Sequence, residues 1–109
     1  MSVKHANPGE IVDLETWAND QRDARTRVIV KTSEMELIRL FLPAGKKIPT
    51  HKVPGPITVH CIQGKAEFTA MGVSQYVTPG QLIHLMPEEP HAVEAVEDTV
   101  ILLTIIFKR

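Results

Sequence analysis

The sequence predicts an all-β domain closed as a jelly roll (a double-stranded β-helix), and three observations predict it. Short apolar runs recur from about residue 26 onward, separated by breaks rich in Pro and Gly. Two of these runs, Met35–Leu42 (MELIRLFL) and Ile57–Gln63 (ITVHCIQ), carry the two-residue alternation of a strand with one buried face. No stretch has the periodicity of a long amphipathic helix. With roughly eight or nine strands on so short a chain, a jelly roll is the economical closure, because it hides most sheet edges.

Residues 1–24 read as an arm packed outside the barrel. They are polar, carry Pro8-Gly9, and allow one short helical turn over Asp13–Ala18, with Asp13 as its cap and Glu15 in its first residues. Trp17 is expected to lay its ring over the barrel. Residues 25–109 form the single barrel domain. Arg27–Lys31 and Met35–Leu42 flank a hairpin-like break at Thr32-Ser33-Glu34, and Pro43-Ala44-Gly45 stops the second strand. Ile57–Gln63 and Lys65–Met71 pair across Gly64. Val73–Val77 leads into Thr78-Pro79-Gly80. Gln81–Met86, His91–Val96 and Val100–Phe107 complete the set. The last run is broken only by Thr104, yet it is far shorter than the roughly 20 residues of a membrane helix, so it reads as a buried strand.

Composition narrows the functional classes. A chain of 109 residues that is 43% apolar and 23% charged has room for one core. Its net charge is −1 and its lysines and arginines are dispersed, which argues against a nucleic-acid partner. Arg22, Arg25 and Arg27 alternate with Asp20 and Asp23, the pattern of a solvated face; Lys46-Lys47 also reads as a solvated pair. A single cysteine, Cys61, forbids an internal disulfide and suits a reducing cytoplasm. The N-terminal stretch has no uninterrupted apolar run, so neither a signal peptide nor a membrane anchor is expected. No nucleophile elbow, phosphate loop or Cys-x-x-Cys pair occurs.

Two segments carry the chemistry. Gly45–Gly64 (GKKIPTHKVPGPITVHCIQG) places His51 before a Pro-Gly-Pro turn and closes a strand on a glycine hairpin. Pro79–His91 (PGQLIHLMPEEPH) runs from a Pro-Gly entry through an apolar strand and a Pro turn to His91. Together they resemble the two sequence motifs of the cupin superfamily, small β-barrels that usually hold a metal ion. The resemblance covers roughly residues 37–107. It aligns Gly45, His51 and Gly64 with the first motif, and Pro79, Gly80, Pro87 and His91 with the second. The family's second His falls on Val53 and its Glu on Ile57, so two of the usual ligand slots hold hydrocarbon.

The resemblance implies a cavity with His51 and His91 at its mouth. Setting position 57 inward makes Ile57, Val59 and Cys61 face the interior and Thr58, His60 and Ile62 face out; by the same alternation His91 and Val93 share a face. The expected pocket is therefore His51, Ile57, Val59, Cys61, His84, His91 and Val93. His84 stays open between the cavity and a packing role, because both faces of its strand are apolar. Cys61 reads as a small buried hydrophobe, with thiolate ligation the alternative. His60 is expected at a packing or subunit surface, Glu88 and Glu89 in a solvated turn, and His5 in a loose end. As metal ligands, His51 and His91 alone suit zinc, nickel or copper better than iron, since no carboxylate accompanies them; the cavity could equally hold no metal. The functional expectation is a barrel that binds a small molecule, a divalent metal, or both, and forms a homodimer. The alternative is a metal-dependent enzyme of the dioxygenase or isomerase class with an incomplete ligand set.

Overall fold

Alternation of buried and less buried side chains is regular over Ile57–Gln63 and His91–Ala95. A computed structural model describes residues 5–14 and 26–107. Within them lie β1 (Arg27–Lys31), β2 (Met35–Leu42), β3 (Lys47–His51), β4 (Ile57–Gln63), β5 (Ala66–Ala70), β6 (Val73–Val77), β7 (Leu82–Leu85), β8 (His91–Ala95) and β9 (Thr99–Ile106). One sheet has the order β1-β2-β9-β4-β7 and the other β3-β8-β5-β6, with antiparallel pairing in both. The two sheets close as a jelly roll.

The core lies between them. In β4, Ile57, Val59 and Cys61 are buried while Thr58, His60 and Ile62 take the other face; in β8, His91, Val93 and Ala95 are buried in the same rhythm. Leu42, Phe68, Val77, Leu85 and Ile101 join this cluster. Each such aliphatic or aromatic side chain, fully buried, stabilises the fold by about 1.5–3 kcal/mol. β9 is apolar on both faces and sits at the centre of its sheet, bonded to β2 on one side and β4 on the other.

One strand differs from the sequence reading. The sequence assigns no strand to residues 47–51 (KIPTH), yet they form β3. Pro49 has no N–H to give a neighbour, which argues against a central strand. β3 is the edge of the four-stranded sheet, and its pairing with β8 is interrupted between Ile48 and His51, so the missing donor is tolerated.

Two glycines differ in what they demand. Gly64, between β4 and β5, has φ +86°, and a Cβ there would collide with the Asp98 carbonyl and Thr99 Cα. Gly45 has the same φ but open space around it. Beside Gly64, the buried Thr99 hydroxyl lies 3.0 Å from the Lys65 carbonyl and 2.7 Å from that of Glu97, and it accepts from the Lys65 N–H at 3.2 Å. The strands on either side of Gly64 do not pair with each other as the sequence suggests: β4 bonds to β7 and β9 in one sheet, β5 to β6 and β8 in the other, so Gly64 is where the chain crosses between sheets. The Thr99 bonds fasten that crossing to the start of β9.

Residues 5–14 lie against the outside of the five-stranded sheet. The Ala6 N–H donates to the Ile29 carbonyl at 2.7 Å, and Arg39 Nε donates to the Leu14 carbonyl at 2.9 Å. Arg39 is buried there, on the face opposite the core. The rest of the expected helical turn, with Trp17, and Arg22 and Arg25 fall outside the described residues. Among the described residues no helix is long and apolar enough to cross a membrane.

Candidate functional site

His51 ends β3 and His91 begins β8, and the two are direct cross-strand partners. Side chains at opposed positions on one face lie close enough to touch. Their rings meet edge to face, with centroids 4.3 Å apart. The two histidines thus come together within one sheet, at the end of the barrel, rather than across the gap between the two sheets.

Both rings are oriented in the same way. The Pro49 carbonyl lies 3.1 Å from His51 Nδ1, and the Glu89 carbonyl 2.9 Å from His91 Nδ1. A carbonyl oxygen can only accept, so Nδ1 carries the proton and donates in each ring. In each case the acceptor lies two residues upstream in the chain. His91 is only 5% exposed and stacks on Phe68 with centroids 5.7 Å apart. Burial holds its pKa below the usual imidazole value; the Glu89 carbonyl opposes that shift, the His51 charge adds to it, and the Glu89 carboxylate opposes it.

Behind the two rings lies a cavity of about 70 Å³. Ile57, Val59 and Val93 line it with His51 and His91. Val53 also lines it, so the family's four ligand slots at positions 51, 53, 57 and 91 border one space. The loop bearing Val53 is held to the opposite turn: the Glu88 N–H donates to the Val53 carbonyl at 2.8 Å, and Lys52 and Glu88 form an exposed ion pair at 3.8 Å.

Two expected pocket residues lie elsewhere. Cys61 is buried but does not reach the cavity; its thiol lies 3.4 Å from the Gln63 carbonyl, at the far end of β4. Burial first and Glu97 second raise its pKa, which disfavours the thiolate a ligand role requires. His84 is exposed on the outer face of β7, because Ile83 and Leu85 take the inward positions, and its Nδ1 donates to the Ile57 carbonyl at 3.1 Å. His60 is half-buried on the outer face of β4. Conversely, Leu40, Ile48, Phe68, Ile101, Leu103 and Ile105 line the cavity and were not read as site residues. The alternation of β5 was a usable signal for Phe68, whereas β9 is apolar on both faces and its parity singled out no residues. None existed for Ile48, whose strand was not recognised.

The donor set does not fit the metal that the fold implies. Among the described residues no group of three or more His, Cys, Asp or Glu side chains could hold an ion. Zinc and non-haem iron sites use at least three protein ligands, and here the slots at 53 and 57 supply methyl groups.

Comparisons with known proteins agree with the fold. The family model described as Cupin domain matches residues 38–107. A conserved protein of unknown function from Streptococcus pyogenes superposes with a TM-score of 0.81 at 27% identity, covering 100% of this chain and 97% of that one. A cupin superfamily protein from Desulfitobacterium hafniense superposes with a TM-score of 0.79 at 10% identity, covering 95% of each chain. KdgF from a Halomonas species gives a TM-score of 0.71 at 16% identity, covering 77% of this chain and 78% of that one. No curated protein matches.

Proposed function

This chain belongs to the cupin domain family, and on that premise we propose that it is a binding protein which holds a small organic molecule in the barrel cavity beside His51 and His91. One observation carries the reading: a cavity of about 70 Å³ has hydrocarbon walls and two oriented imidazoles as its polar side chains. Apolar concavity with a few fixed polar groups is the usual make-up of a small-molecule site. A metal-dependent dioxygenase or isomerase would need ligands that positions 53 and 57 do not provide.

The test is a titration of chelator-treated protein with small neutral organic molecules, followed by amide chemical shifts. Shifts should concentrate at His51, Val53, Ile57 and Val93. The double variant His51→Ala, His91→Ala should stay folded and bind more weakly. Binding that appears only after a metal is added, or shifts confined to other surfaces, would defeat the proposal.

A further inference from the structure

The polar atoms of the cavity restrict what it can take, if it is the binding site proposed above. Nδ1 of both rings donates to a carbonyl, Pro49 for His51 and Glu89 for His91. A neutral imidazole has one N–H, so Nε2 of each ring is an acceptor with a free lone pair. Among the described residues neither Nε2 has a hydrogen-bond partner. Every other lining side chain is hydrocarbon, Val53, Ile57, Phe68 and Leu103 among them. While both rings are neutral, the side chains offer lone pairs and no donor.

This polarity sorts ligands by head group. A carboxylate or an ammonium would shed its hydration with no counter-charge in the walls. A ketone or an ether brings only acceptors to face two more acceptors, so its oxygen is desolvated without a partner. A hydroxyl can donate to Nε2. We infer that the cavity selects a small uncharged molecule with an aliphatic body and a hydroxyl group, the hydroxyl donating to Nε2 of His51 or His91. Size sets a limit: a dry cavity of about 150 Å³ holds benzene, so about 70 Å³ suits a body of roughly three heavy atoms. His51 is exposed, which leaves room at the mouth for a longer tail to emerge.

Butan-2-ol, butan-2-one and butyrate share a short aliphatic body and differ in the polar head. Each is titrated into the metal-free protein at about pH 8, above the ordinary imidazole pKa. Amide shifts report binding, and long-range imidazole ¹⁵N spectra report which ring nitrogen responds. The alcohol should bind about 5-fold tighter than the ketone, the worth of one net hydrogen bond, and butyrate should not bind. Nε2 should shift on adding the alcohol while Nδ1 stays. In a His51→Phe, His91→Phe double variant the preference for alcohol over ketone should vanish. If that variant fails to fold, the Nε2 shift of the native protein decides alone, and no shift there overturns the inference. Equal or tighter binding of the ketone or of butyrate would overturn the hydroxyl inference and leave the proposed function standing. If none of the three moves a cavity amide, both fall.

Discussion

A buried imidazole resists protonation, and His91 is held in that condition by its neighbours Phe68 and His51. Its folded pKa lies below the ordinary value, so as pH falls through about 6.5 the unfolded chain takes up the proton first. The stability that depends on neutral His91 is therefore complete above that pH. It is lost between there and the folded pKa, and this group adds no further change below it. Denaturant unfolding at about pH 7.5 and pH 5 should show this loss, and the loss should shrink in His91→Phe, which keeps an aromatic ring against Phe68 but cannot titrate. An equal loss in the variant would assign the effect to other groups. Positions 53 and 57 allow a second test at this scale. Both border the cavity, so Val53→His with Ile57→Glu should rebuild a four-donor set and raise zinc affinity by at least about tenfold. The metal-free form should be less stable, because the new carboxylate is buried without a partner. No gain in zinc affinity would mean that the four positions do not converge on one point. Residue placement was legible where alternation applied: Ile57, Val59 and Val93 all border the cavity. Cys61 shares their parity but lies too far along β4, and His84 sat in a strand apolar on both faces, where parity gives no answer.

Among the glycine turns of the described residues, the crossing at Gly64 is the most closely packed. It combines φ +86° with contact against the Asp98–Thr99 backbone, whereas Gly45 has only the φ. Placing an L-residue in the left-handed region costs roughly 1–2 kcal/mol, and a collision with backbone adds to it. Gly64→Ala should therefore lower stability by about 3 kcal/mol or more, and Gly45→Ala by about 1 kcal/mol. Thermal unfolding separates the two, since 1 kcal/mol moves Tm by about 4–8 °C in a domain near this size. Similar losses for both would show that the turn at Gly64 can shift away from Thr99. Glycine and proline punctuation made eight of the nine strands visible in the sequence, to within a residue or two at their ends. β3 was missed for the reason that makes it an edge: Pro49 breaks the pattern of a regular strand, and only the pairing of Ile48 and His51 with β8 reveals it. That strand carries His51, so the least legible element holds half of the polar pair.

For the whole molecule, the outer face of the five-stranded sheet decides the expected assembly. Its inward positions in β9, namely Ile101, Leu103 and Ile105, line the cavity, which leaves Leu102, Thr104 and Ile106 on the outside. Register places His60 of β4 between Leu102 of β9 and Leu82 of β7 on that same face. Leu82 is 59% exposed and Ile106 43% exposed. Residues 5–14 reach the sheet at β1 and β2, through Ala6 on Ile29 and Leu14 on Arg39; among the described residues no such backbone or side-chain bond ties them to β4 or β7. The register sets Leu82, His60 and Leu102 in one row of this face and His84, Thr58 and Thr104 in the next, a mixed apolar and polar surface like those that non-obligate interfaces use. A domain of this length buries about 60–68% of its chain surface alone, so pairing with a second copy would add to its stability. Sedimentation at micromolar concentration should give a dimer. Leu82→Glu or Leu102→Glu should give a monomer, because a charge at the centre of such an interface is desolvated without a partner. Neither residue lines the cavity, so the monomeric variants should keep their ligand preference. A native protein that sediments as a monomer, or variants that remain dimeric, would show that this face is not where two copies meet.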